Sequence, residues 1–333
     1  MLQDCQFCSV ISKNNGEDPI GTASTHDYWL LIDLPLPWVF ENWYKDPVMG
    51  PLIALFERLI VKEGMKLRPL AIAPDPHYSK PGYHRILFYR RPARLFSQYQ
   101  KQEYLIPTEH LTDIVVALLQ SPERLDSFEA YRQHIYTRDL FICTHGNVDV
   151  ACARFGNPIY KALRADYASS TLRIWRCSHF GGHRFAPTLI DLPIGQFFGH
   201  IEHTHLDALV HRKGDWHLLR NCYRGWAGLG SIEQIAEREI WMQLGWEWFD
   251  YVKIGRIKED IAQTSFETTD FETTDLTTIE IEFQDTEGNS GIYEAQIERI
   301  EDIETASNSG AGMKMEKVKQ YKVSRISTLP CTS

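Results

Sequence analysis

Two stretches of this chain read as the same succession of elements, and that repetition restricts the fold more than any other feature. In the first, apolar alternation and turn residues predict a strand at 28–33 and an amphipathic helix at 51–64. Strands at 67–73, 84–89 and 102–106 and a helix at 109–119 follow. In the second, the prediction is a strand at 140–143 and a helix at 158–167. Strands at 172–176, 187–192 and 196–200 and a helical segment at 206–210 complete it. Both read β-α-β-β-β-α, so the expected fold class is α/β, built by degenerate internal duplication.

After the second repeat the sequence changes character. A helix is predicted at 232–248, where Ser231 with Gln234 three residues on is a capping-box signal. Phe-Glu-Thr-Thr-Asp then occurs twice in tandem, at 266–270 and 271–275, an acidic stretch with the composition of a linker. Beyond it, alternating strands at 277–283 and 291–297 flank Glu287-Gly288-Asn289-Ser290, a hairpin signature. A third strand is expected at 319–326, after a flexible segment at 307–312. The expected units are therefore 1–135, 136–252, an acidic linker 253–276, and a small β-hairpin module 277–333.

The chemistry concentrates in the second repeat. Cys143 ends a strand and Cys152 opens the segment leading to a helix, so both sulfurs can converge above the carboxyl end of that strand, where open α/β sheets place their sites. After the next strand, His179 and His183 flank Gly181-Gly182 in a tight loop. Two thiolates and two imidazoles suit a transition metal or an iron–sulfur site. Zinc fits the spacing less well, because finger-type sites usually hold their cysteines about two to four residues apart. Eight residues separate Cys143 from Cys152 here, and twenty-six separate Cys152 from His179. Cys177 is a competing ligand, although strand alternation turns it to the opposite face. His145 lies inside the ligand loop as a candidate supporting donor, and Gly181 and Gly182 would let backbone N–H groups approach a bound group. Cys5-x-x-Cys8 has no strand before it and reads as surface thiols. His200, His203, His205 and His211 read as an exposed, histidine-rich strand end. The first repeat has Leu34-Pro35-Leu36-Pro37 where the second has its cysteine loop, and no Cys or His pair at the counterpart of the histidine loop.

The cysteine pair, the βα unit and the two ligands ahead of Gln196-Phe-Phe-Gly resemble the thioredoxin-like 2Fe-2S ferredoxins. The pattern is closer to the sucrase/ferredoxin-like family, whose Cys-Thr-His-Gly and Ser-His-x-Gly-Gly-His-x-Phe-Ala signatures stand here as 143–146 and 178–186. Residues 17–23, Glu-Asp-Pro-Ile-Gly-Thr-Ala, and Tyr223-Arg224-Gly225 are also similar to that family. The resemblance implies two tandem thioredoxin-like units, the second carrying a 2Fe-2S cluster on Cys143, Cys152, His179 and His183. It implies electron transfer between redox donor and acceptor proteins that the residues do not name. Two neutral imidazoles in place of two thiolates would raise the potential above that of an all-cysteine ferredoxin and link reduction to pH.

Composition narrows the partners. A net charge of −9 without a basic stripe argues against a nucleic-acid or anionic-membrane surface. The first residues carry an acidic side chain and no apolar core, and no run of eighteen apolar residues occurs, so the expectation is a cytoplasmic chain off the membrane. Two other functions compete with electron transfer. One is a redox-inactive binding protein with a structural cluster. The other is a sugar hydrolase, suggested by the family's name alone, which would need two carboxylates about 5–10 Å apart. Asp18, Asp33 and Asp75 are available, but nothing in the sequence pairs them.

Overall fold

A computed structural model of the chain describes residues 6–134, 136–258 and 276–330. Cys5 and the tandem repeat at 266–275 lie outside the described residues. In chain order the first half contains α1 (Cys8–Asn14), β1 (Tyr28–Asp33), α2 (Phe40–Trp43), α3 (Met49–Glu57), β2 (Leu67–Ile72), β3 (Tyr83–Arg90), β4 (Gln100–Pro107) and α4 (Leu111–Gln120). The second contains β5 (Arg138–Cys143), α5 (Val150–Asp166), β6 (Leu172–Cys177), β7 (Leu189–Leu192), β8 (Gln196–Phe198), α6 (Leu206–His211), β9 (Tyr223–Trp226) and α7 (Ser231–Leu244). Last come β10 (Val252–Ile257), β11 (Leu276–Gln284), β12 (Ser290–Ala306) and β13 (Met315–Pro330).

The nine strands β1–β9 form one mixed sheet in the order β4-β3-β1-β2-β6-β5-β7-β8-β9. Within it the two halves repeat one pairing pattern. β1 runs parallel to β2 and antiparallel to β3, which pairs antiparallel with β4. β5 likewise runs parallel to β6 and antiparallel to β7, which pairs antiparallel with β8. The two sets join where the carboxyl ends of β2 and β6 meet, at the single register pair Ile72–Cys177.

That narrow join lets the halves fold face to face. By sheet order β4 lies four strands from β6, about 19 Å at the usual strand spacing. Yet Glu103 of β4 accepts two hydrogen bonds from the Arg173 guanidinium of β6, both 2.8 Å. Tyr89 of β3 donates to Asp139 of β5 at 2.8 Å, and Lys101 and Arg173 also reach that carboxylate. Around this buried charge cluster lies an apolar core drawn from both halves, including Trp29, Leu31 and Leu87 on one side and Leu140, Ile142 and Ile174 on the other. Period-2 alternation sends Leu30 and Ile32 to the far side of the first half-sheet. There they meet Leu111, Ile114, Val115 and Leu118, the apolar stripe of α4.

Several local expectations change. Helix 51–64 is α-helical only to Glu57 and passes into a π-type turn at Arg58–Lys62. The helix expected from Pro158 starts two turns earlier, because Asp149 caps it by accepting from the Ala151 N–H at 2.8 Å. Ser231 does not form its capping box. The cap is Gly230, and Gln234 turns inward to bond Ala23 and Leu229.

The four-stranded antiparallel sheet runs β10-β11-β12-β13, and β10 lies where a linker was expected. Trp248 and Tyr251 hold this sheet to the core by packing on Phe283, with Tyr293 against Trp248. Lys253 of β10 also bridges to Phe96 in the first half.

Candidate metal centre

The four residues singled out by spacing meet at one end of the second half-sheet, three of them in one group. Cys143 is the last residue of β5 and Cys152 lies in the first turn of α5. Both sulfurs stand 3.7 Å from Nδ1 of His179, and the three ligand atoms lie within 4.8 Å of one another. Cys152 belongs to the stripe Cys152, Gly156, Ile159 and Leu163 that α5 buries, so the contacts that dock the helix also aim the thiol. Gly156 makes this docking possible: a Cβ there would stand 2.1 Å from the Cys143 carbonyl oxygen. His183 stands beside the group, its ring 5.5 Å from that of His179. Its Nε2 donates to the Ser307 carbonyl at 2.8 Å, since a carbonyl can only accept. Its Nδ1 is buried without a partner among the described residues.

A second set of ligand atoms, from Cys8, Asp149 and His183, also falls within 4.8 Å. Cys8 is therefore no surface thiol. It is fully buried, and burial pushes its pKa up to about 11. Asp149 is inconspicuous in the sequence, and Cys8 meets it only because α1 packs onto the second half from 141 positions away.

The model of the sucrase/ferredoxin-like family matches residues 19–225. The chain belongs to that family. No curated protein and no solved structure matches it. All four expected ligands lie inside the family match, whereas Cys8 and Ser307 lie outside it.

In this sucrase/ferredoxin-like chain the two thiols differ in acidity. Against the opposing effect of burial, hydrogen bonds from Cys152 and His179 hold Cys143 well below the ordinary thiol range. Cys152 is raised, first by its hydrogen bond to Cys143 and then by burial. Two guanidiniums, that of Arg224 buried and that of Arg68 partly so, stand near these sulfurs. Burial lowers Arg224 to about 10, while the attraction of Cys143 and Cys152 keeps it from falling further. Burial likewise lowers Arg68, opposed by Cys177 and Cys143.

The supporting residues have specific places. His145 is buried, its Nε2 bonding the Trp38 carbonyl at 3.0 Å while its Nδ1 accepts from the His179 N–H at 3.4 Å, so it braces the backbone of a candidate ligand. Gly181 and Gly182 both have positive φ, +98° and +77°. Gly182 is required by something unforeseen: a Cβ there would stand 2.5 Å from the Arg224 guanidinium, which donates to the Gly181 carbonyl. Cys177 is fully buried at the β2–β6 join, and its sulfur belongs to neither ligand group. Of the histidine-rich strand end, His200 is buried and held by Ser12, contrary to the exposed edge expected.

Proposed function

We propose that the protein is an iron–sulfur electron carrier, with a 2Fe-2S cluster held by Cys143, Cys152, His179 and His183 in the second of two thioredoxin-like units. The observation that carries this reading is the convergence of two buried sulfurs and the His179 Nδ1 at 3.7 Å, with the unpartnered, buried Nδ1 of His183 alongside. An orphan ring nitrogen costs free energy unless something binds it, and iron is such a partner. The soft donor set, the glycine loop and the Arg224 guanidinium all fit a sulfide-bearing, anionic group.

When bound, such a cluster supplies one-electron transfer. The chain's residues do the rest. α5 and β5 hold the thiols in a dry pocket, where Arg224 and Arg68 offset their charge. The histidines differ: His183 keeps its Nε2 proton on the Ser307 carbonyl, while His179 Nε2 has no hydrogen-bond partner among the described residues. His179 Nε2 is therefore where a proton can be held or released as the electron moves. The repeated β-α-β-β-β-α order, with each half-sheet ordered 4-3-1-2, supports the thioredoxin-like assignment. We place the carrier in the cytoplasm, between donor and acceptor proteins. Among the described residues, no helix is long and apolar enough to cross a membrane.

Each of the three acids considered for sugar hydrolysis already has a basic partner. Asp18 binds Arg238, Asp75 binds Arg164, and Asp33 faces His84.

The test is the visible spectrum and potentiometric titration of anaerobically purified protein. We expect a coloured, reversibly reducible sample. His179→Cys and His183→Cys should stay coloured but lie lower in potential by on the order of 100 mV, with weaker pH dependence. A colourless wild type without iron and sulfide rejects the reading. An unchanged potential in both histidine variants would show that the imidazoles are not ligands.

A further inference from the structure

The family match supplies every proposed ligand, but the His183 side of the site is closed by two segments outside it. One is the amino-terminal flank with α1, the other the β12–β13 loop at 307–314. Their meeting point is Ser309. Its N–H donates to Asp149 Oδ2 at 2.9 Å and its hydroxyl to Asp149 Oδ1 at 2.7 Å, while its Oγ accepts from the Cys8 N–H at 3.0 Å. Two residues earlier, Ser307 holds its carbonyl against His183.

The same closure recurs nearby. Arg184, next to His183, pairs with Glu17 of the amino-terminal flank at 2.7 Å and with Glu316 of β13 at 2.8 Å. Underneath, Cys8, Ala151, Ala186 and Ala306 form a small apolar core of their own, flanked by Phe7, Phe155 and Met313. Asp149 is already committed to the Ala151 and Ser309 N–H groups and the Ser309 hydroxyl, all within 2.9 Å. Its oxygens are thus used to fasten the loop rather than left free for a metal.

We propose that the two flanks form a latch over His183, with Ser309 as its positioning residue. The latch keeps the Ser307 carbonyl on Nε2, so that Nδ1 is presented to the iron, and excludes water and small molecules from that side. This inference rests on the cluster reading.

The full-length chain is reconstituted anaerobically with ferrous iron and sulfide, as wild type, Ser309→Ala, Ser309→Thr and Cys8→Ala. Bleaching by a ferrous chelator gives the rate of cluster loss, and pulsed EPR of the reduced protein reads the two imidazole nitrogen couplings. Ser309→Ala should take up a full cluster but lose it about tenfold faster, as expected for one or two buried hydrogen bonds. One nitrogen coupling should change while the other stays. Ser309→Thr, which retains the hydroxyl, should restore both readouts. If circular dichroism finds Ser309→Ala unfolded, Glu316→Ala breaks only the half-exposed pair with Arg184 and should still accelerate loss about twofold. Wild-type rates and couplings in every folded variant would overturn the latch. So would a stoichiometric Co²⁺–thiolate absorption band that Cys8→Ala abolishes and Cys143→Ala retains, because those residues would then be a metal site. A wild type that never becomes coloured would instead reject the cluster reading itself.

Discussion

The two halves of the nine-stranded sheet share strand order and strand directions, and differ at the carboxyl end of their first strand. In the second half that end is Cys143, whose neighbours are a thiol and an imidazole. In the first half it is Asp33, buried, accepting from the Arg85 N–H at 2.6 Å and facing His84 at 3.5 Å. The following strand leads to the histidine loop 178–183 in one half. In the other it leads to Asp75, whose carboxylate is fastened to Arg164 of α5. The same strand order and directions thus carry the candidate ligands in one half and structural ion pairs in the other. A fold sets where a site can be, and side chains decide whether one is there.

The largest effect that would break this comparison concerns the ligands. Cys143→Ser or Cys152→Ser should lose most of the visible absorption, because an oxygen donor is a poor substitute on a soft site. Asp33→Cys, at the matching position of the first half, should bind no additional iron, since no Cys or His pair stands across from it. Iron analysis of the three variants decides, and extra iron in Asp33→Cys would mean the first half is a latent site.

Next is the bond between the halves. Asp139→Ala strips the buried carboxylate from Arg173, Lys101 and Tyr89 and should cost about 3–5 kcal/mol in urea denaturation. A loss below about 1 kcal/mol would mean that the apolar core alone holds the halves face to face.

The smallest effect is pH-dependent and is shared between His200 of the second half and His26, ahead of β1, which burial lowers in the same way. Burial lowers His200 to about 4 from its ordinary 6.5. Below about 6.5 the unfolded chain takes up a proton that the folded one refuses, so stability falls as pH drops from about 6.5 to about 4, by about 1–3 kcal/mol. His200→Asn, which tolerates the positive φ of 51° at this position, should flatten that slope. Urea midpoints at pH 7 and pH 4.5 measure it, and equal slopes in both proteins would remove His200 from the account.

The sequence by itself determined the repeated element order, most strands to within a few residues, the hairpin of the last sheet and the Cys/His spacing that singled out the centre. Alternation and turn residues act over about ten residues, and ligand spacing is counted along the chain, so all three are legible without a partner. Only the tertiary structure decided that the half-sheets fold face to face, that α5 starts at its Asp149 cap rather than at Pro158, and that a segment expected to be a linker contains β10. It also decided that Cys8 and the loop expected to be flexible close over His183, and that Gly182 yields space to Arg224. Each depends on residues far apart in the chain, Ser309 and Cys8 being separated by 301 positions. No periodicity encodes such a contact: it forms because buried polar groups must find partners wherever the packed core brings them.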